Sequence, residues 1–320
     1  MAAPSPAAAV AIPEVDRIAI TTVVDNSVDN LRADEKVARR FTHGRARKMP
    51  TLRAEHGLAH WVEVTRGSET ARIAFDWGLT DASYLHNLRE LGLDPAGLDA
   101  LALSHGHQDH WGGLPGFIRA LRSRMRPALP FYAGQDHFLP RYNERQGDRV
   151  YIGRLDREEL ARQDLDVRVV AEPRVIAGAA ILSGEVHETA PFEVIPPSLK
   201  VERDGAVVPD TFIGEQTLIA NVRGRGLVVV TSCSHRGIVG ICRHAARVTG
   251  IPRVHAVIGG FHLAPYKDYV RQTIDELKQI DPDYVIRLHC TGEPFFLMAK
   301  AEMPAKLLRS YTGTRFVFGS

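Results

Sequence analysis

Cysteine is scarce in this chain of 320 residues: Cys233, Cys242 and Cys290 are three, an odd number, and widely spaced. That excludes a secreted fold held together by a disulfide framework. Net charge is nearly absent as well, with 40 basic residues against 38 acidic ones and a formal balance of +2. No basic field of the kind that holds nucleic acid follows from such a balance. Nowhere do about eighteen apolar residues run together, which excludes a membrane-spanning helix. Met1 to Pro13 is rich in Ala and Pro but has neither a basic start nor an apolar core, so it does not read as a signal peptide. A disordered tail over residues 1–17 and a cytoplasmic location are the expectations.

What the chain does have is an ordinary globular composition, 44% hydrophobic and 24% charged. It can bury a core without disulfide help. The length allows one large domain or two ordinary ones. No linker, repeat or further low-complexity stretch divides it, so residues 18–320 read as a single domain.

Ile18 to Val24 is a β-branched run that stops at Asp25-Asn26-Ser27, the pattern of a buried strand ended by a turn. His60–Arg66 and Thr70–Asp76 alternate around Gly67-Ser68 as a hairpin. Asp81 to Leu91 has helical spacing and ends at Gly92. Leu98–Leu103 is a short apolar strand, and Trp111 to Arg124 is an amphipathic helix. Thr217–Val222 and Gly226–Thr231 form a second hairpin. After it come a helix from Gly240, a strand over Val254–Ile258, a helix from Tyr269 and a strand over Tyr284–Leu288. Residues 31–53, with Arg39, Arg40, Arg45, Arg47 and Lys48, read as a solvated charged loop rather than a lid. Two β-rich halves, each carrying helices, suit an α/β fold of the four-layer αββα sandwich type.

Chemistry concentrates just after Leu103, in Ser104-His105-Gly106-His107-Gln108-Asp109-His110. Imidazole nitrogen and carboxylate oxygen are donors that Zn²⁺, Fe²⁺ and Mn²⁺ accept. His105 and His107 lie two apart, so in extended backbone they project to the same side and can grip one ion. Asp109 and His110 fall past the turn, where they can face a second. Gly106, Gly112 and Gly113 are expected to supply backbone freedom. A pair of adjacent ions acidifies a water between them and polarises a scissile group.

The string His-x-His-x-Asp-His resembles the signature of the metallo-β-lactamase superfamily. Ala74-Phe75-Asp76-Trp77-Gly78 resembles the strand-ending Asp-x-Gly of that family, whose Asp supports the metal loop from behind. Asp25-Asn26, Ala54-Glu55-His56-Gly57-Leu58, Ser183-Gly184-Glu185, Cys233-Ser234-His235-Arg236-Gly237-Ile238, Gly259-Gly260-Phe261-His262-Leu263 and His289-Cys290-Thr291-Gly292 narrow the match. Together, from about residue 18 to the end, they look like the subgroup of 7,8-dihydropterin-6-yl-methyl-4-(β-D-ribofuranosyl)aminobenzene 5′-phosphate synthases.

The resemblance implies two divalent metal ions, zinc first with iron or manganese as alternatives, held between two sheets. His105, His107, Asp109 and His110 are the implied ligands, and His289 at a late strand end completes the second metal. The superfamily's usual middle His and bridging Asp are replaced here. His235 is the expected ligand in that region, with Cys233 or Glu185 as substitutes and His187 read as an exposed residue. Asp76 is expected to orient a ligand through its ring N–H. His262 is either a general acid or a loop cap. Asn26 could hold a phosphate or carbonyl of substrate, although an Asx turn is its commoner use. Cys290 is read as a buried structural thiol, because neighbours in a strand point opposite ways.

The function these readings support is metal-dependent hydrolysis or transfer on a small, phosphate-bearing or pterin-like substrate. A hydroxide on the metals, oriented by Asp109, makes the attack. A diiron oxidoreductase on the same fold and a binding protein with a vestigial site are the alternatives. The implied partner is a small molecule, not nucleic acid or membrane, and a homo-oligomer is left open.

Overall fold

The computed structural model describes residues 9–42, 51–263 and 267–320. Its centre is two facing eight-stranded sheets. The first runs, in spatial order, Leu165–Val169, Leu129–Ala133, Ala100–Ala102, Glu69–Phe75, Ala59–Arg66, Arg17–Val24, Arg315–Gly319 and Ala38–Arg39. The second runs Arg174–Ile176, Ala180–Leu182, Leu218–Val222, Gly226–Val230, Val254–Gly259, Tyr284–Arg287 and Leu307–Arg309, with Glu14–Val15 beside Leu218–Val222.

Strand periodicity explains the layering. In Gly226–Val230, Val228 and Val230 point inward while Val229 points outward. Inward residues such as Ile20, Val62 and Ala102 meet Val228, Ile258 and Ile286 between the sheets. Outward Val229, Val257 and Val285 are covered by Ile241, Ala245 and Ile274 of the helices Ile238–Thr249 and Lys267–Ile280. On the other side Trp61, Ala74 and Leu101 are covered by Tyr84, Leu88 and Phe117 of the helices Asp81–Glu90 and Leu114–Leu121. Each wholly buried Val, Leu or Ile of these layers contributes about 1.5–3 kcal/mol. The result is an αββα sandwich, as expected.

Several expectations are corrected. The tail is not disordered through residue 17: Glu14–Val15 pairs with Asn221-Val222, and Val10 and Ile12 pack on the outer core, because their apolar side chains reach uncovered sheet and helix. Residues 31–37 are largely exposed, as expected, but 38–40 are not part of a solvated loop. Ala38–Arg39 pairs with Arg315-Phe316, and buried Arg40 donates to the Arg309 carbonyl and Thr314 Oγ1. Arg45, Arg47 and Lys48 lie outside the described residues. The helix expected from Trp111 is broken at Gly112-Gly113 into Gln108–Trp111 and Leu114–Leu121. The two halves also interlock, since the last strand, Arg315–Gly319, returns to the first sheet beside Arg17–Val24.

A third, four-stranded sheet was not foreseen. Its hairpin Arg141–Arg145/Asp148–Gly153 turns on Gln146 and Gly147, both at positive φ (51° and 91°), and Leu199–Arg203 and Ala206–Pro209 extend it. Among the described residues, no helix is long and apolar enough to cross a membrane.

Candidate metal centre

The chemistry-bearing loops leave parallel strands of both sheets, one in the first sheet and three adjacent ones in the second. Parallel strands Ala100–Ala102, Gly226–Val230, Val254–Gly259 and Tyr284–Arg287 end, respectively, just before His105–His110, Cys233–His235, His262 and His289-Cys290. The carboxyl ends of parallel strands are where open α/β sheets place ligands.

The loop 104–110 is held from behind by Asp76. One carboxylate oxygen accepts from the Ser104 N–H (2.8 Å), and the other accepts from Ser104 Oγ (2.7 Å), His110 Nδ1 (2.8 Å) and Ser232 Oγ. Because the Ser104 hydroxyl proton goes to Asp76, its oxygen accepts from His105 Nδ1 at 2.9 Å. Both tautomers are thereby fixed, leaving His105 and His110 a bare Nε2 beside the other ligand-capable atoms. Asp76 sits at φ 64°, a conformation Asp tolerates better than most residues.

The glycines act differently from expectation. Gly106, Gly112 and Gly113 do not occupy positive φ. They are needed for close approach: a Cβ on Gly106 would lie 1.9 Å from Arg141 Nη1, and one on Gly112 2.1 Å from the Leu79 carbonyl oxygen. Arg141 is itself wholly buried, paired with Asp210 at 2.8 Å and Asp136 at 3.4 Å. It forms the floor beneath the loop.

Ligand-capable atoms gather in overlapping groups, within 4.8 Å in each. His105, His107 and His235 make one group; His105, His110 and Cys233 make the next. His56, Asp109 and His289 form a third, and Cys233 also groups with His289 and Cys290 and with His235 and His262. Asp109 Oδ2 stands 3.2 Å from His289 Nε2, 3.3 Å from His56 Nε2 and 3.7 Å from His110 Nε2. His110 Nε2 is 3.2 Å from Cys233 Sγ, which is 3.4 Å from Cys290 Sγ.

Several of these donors have nothing to bond in the protein. His105 Nε2, both ring nitrogens of His235 and His262 Nδ1 are buried without a hydrogen-bond partner, and His289 Nε2 meets only Asp109 Oδ2, at 3.2 Å. Buried polar atoms rarely go unpaired, and converging orphan imidazoles with thiol and carboxylate donors fit a divalent metal. The electrostatics agree. Burial, aided by His110, holds His105 well below the ordinary imidazole range, and burial holds His107 and His235 down likewise. Neutral rings are the ligating form. Burial works against ionisation of Asp109, yet His110 and His289 keep it well below the usual carboxylate range. Burial also opposes the charge on His289, but Cys290, Asp109 and Asp25 push it up to about 9. A proton on that nitrogen stands where a cation would stand.

The remaining predicted residues fall as follows. Asn26 accepts from His289 Nδ1 at 2.9 Å and from the Gly57 N–H at 3.4 Å, so its amide orients His289. His262 lies beside His235, ring centroids 4.3 Å apart, and faces the cavity. Glu185 and His187 are not brought into the ligand groups; they pair with each other at 3.5 Å.

Three residues were missed. Strand alternation predicts that Cys290 points away from His289, but the strand ends at Arg287, and His289–Thr291 is a tight helical turn that brings both side chains to the cavity. His56, exposed within Ala54-Glu55-His56-Gly57-Leu58, meets Asp109 and His289 only in the folded chain. Glu215 carried no sequence signal. It is buried, accepts the N–H groups of His235 and Arg236 at 2.8 Å each, and is pushed up to about 7 by burial against those bonds.

The cavity over these residues has a volume of about 530 Å³. Its far wall is the third sheet, through Asn143, Arg145, Ile152 and Leu199.

Comparison with known proteins gives the context. The family model of the metallo-beta-lactamase superfamily matches residues 67–287. A 7,8-dihydropterin-6-methyl-4-(β-D-ribofuranosyl)-aminobenzene-5′-phosphate synthase of Methanocaldococcus jannaschii is 29% identical over 75% of this chain and 82% of its own length. An uncharacterized protein of the same organism is 31% identical over 75% of this chain and 85% of its own. The crystal structure of Tm1679, a metal-dependent hydrolase of the β-lactamase superfamily, is 26% identical with a TM-score of 0.73, covering 95% of this chain and 100% of that one.

Proposed function

The chain belongs to the metallo-β-lactamase superfamily, and on that premise we propose that it is a metal-dependent hydrolase, or a transferase, with a dinuclear centre. The observation that carries this reading is the convergence of buried, unpartnered imidazole nitrogens beside a carboxylate and thiols. His105, His107 and His235 would hold one ion, and Asp109, His110, His289 and Cys233 the other. Zinc is the first choice because it accepts nitrogen, sulfur and oxygen donors alike. When bound, two such ions acidify a water and polarise the group under attack.

The protein's own part is positioning. Asp76 fixes the tautomers of His105 and His110, and Asn26 fixes that of His289. Asp109, kept ionised, offers an oxygen that accepts a proton from the attacking nucleophile and orients it. His262 lines the cavity and serves the leaving group. Three unpaired cysteines suit the reducing cytoplasm. The cavity volume accommodates a small molecule, and the synthase relative supports one that is phosphate-bearing or pterin-like.

A panel of phosphomonoesters, phosphodiesters and lactones, offered to the zinc- and manganese-loaded protein, tests the reading. Turnover that Asp109→Asn abolishes while metal is retained supports it. A metal-loaded protein inert across the panel contradicts it.

A further inference from the structure

The wall of the cavity opposite the metal ligands has its own chemistry. Alternate residues of the hairpin Arg141–Arg145/Asp148–Gly153 face opposite ways. On the outer face charges and polar tips pair among themselves. Tyr142 Oη donates to Glu202 at 2.6 Å, and Glu144 binds Arg149 at 2.8 Å and Lys200 at 3.2 Å. On the inner face stand Asn143, Arg145, Ile152 and, from the neighbouring strand, Leu199. There the partners run out. Among the described residues Arg145 has no ion pair, although its cross-strand neighbour is Asp148. Asn143 Oδ1 is buried with no hydrogen-bond partner.

We propose that Arg145 and Asn143 form a substrate-recognition subsite for an oxyanion flanked by a hydrogen-bond donor. The proposal rests on the small-molecule hydrolase reading and names the remote end of its substrate. The guanidinium fork takes phosphate-type oxygens in pairs. The Asn143 carbonyl accepts from a hydroxyl or ring N–H next to the anionic group. Leu79, Ile152 and Leu199 line the same cavity and pack against an apolar or flat body between the subsite and the metal ligands. The ligand class is thus a small molecule with a charged, hydroxyl-bearing end and its reacting bond at the other. Arg145 lies at the exposed mouth, so its attraction weakens with salt.

The test is binding of two probes, ribose 5-phosphate and phenyl phosphate, to the purified full chain by calorimetry, with metal content measured in every sample. Arg145→Gln is expected to weaken both about ten- to a hundred-fold, the worth of a charged hydrogen bond. Arg145→Lys is expected to restore part of the loss. Asn143→Leu is expected to weaken ribose 5-phosphate several-fold and leave phenyl phosphate, which has no donor, unchanged. Equal binding by wild type and Arg145→Gln, or no binding of either probe by wild type, overturns the proposal. Loss of metal would instead contradict the hydrolase reading, and the measured metal content separates the two.

Discussion

Replacing Asp76 by Asn tests how the metal loop is built, because the change is one atom in a site with no slack. Of the four donors that converge on Asp76, one uses Oδ1 and three use Oδ2. An Asn can keep its carbonyl toward the Ser104 N–H and place its NH₂ where Oδ2 was. The two serine hydroxyls can rotate to accept. His110 cannot rotate; it must move its proton from Nδ1 to Nε2 to accept from the amide. That protonates the nitrogen that faces Cys233 and the second metal group. The expected loss in metal affinity is about 10- to 100-fold, as for other partners of metal-bound histidines. Losing the charge-assisted hydrogen bonds to this acceptor also destabilises the metal-free protein by about 1.5–3 kcal/mol. Backbone strain does not confuse the result, since Asn tolerates positive φ as Asp does. Chelator competition measures the affinity and urea denaturation the stability. Affinity within about twofold of wild type would refute the tautomer argument.

Other changes probe separate links. Cys233→Ser is expected to erase thiolate-to-metal charge transfer from the cobalt-substituted protein; an unchanged spectrum removes Cys233 from the ligands. Gly106→Ala drives a Cβ into Arg141, and overpacking of this kind costs about 1–3 kcal/mol or more. A normal melting temperature would show that the floor yields. Burial lowers His60 to about 4, so the folded state keeps it neutral while the unfolded state protonates near 6.5. Its stabilisation is present above pH 6.5 and is lost as pH falls toward 4. The difference from 6.5 to about 4 corresponds to about 3 kcal/mol. His60→Phe should flatten stability over that window, and an unchanged pH profile would contradict it.

The sandwich was legible because its core strands alternate or run apolar, and because Asp25, Gly92 and Gly224 punctuate them. The metal loop was legible for a different reason: four donor side chains fall within a six-residue stretch, His105 to His110, that follows a strand. What stayed hidden depends on long-range contact. Arg315–Gly319 shows no sign that it returns to a strand near the N-terminus. Arg40 looks like one solvated cation among many until Arg309 and Thr314 close over it. Strand alternation fails at Cys290 because the strand stops three residues earlier, at Arg287. Glu215 is an unremarkable Glu in sequence, and only tertiary structure brings the N–H groups of His235 and Arg236 to it. The hairpin carrying Asn143 and Arg145 did leave a trace, Gln146-Gly147, a weaker form of the Asn-Gly signal for a two-residue turn.

The most direct test of the metal centre is elemental analysis of the purified protein beside His107→Ala. The account predicts about two metal equivalents in the native chain, zinc first, and loss of metal in the variant. A native protein that takes up no metal even after loading would contradict it.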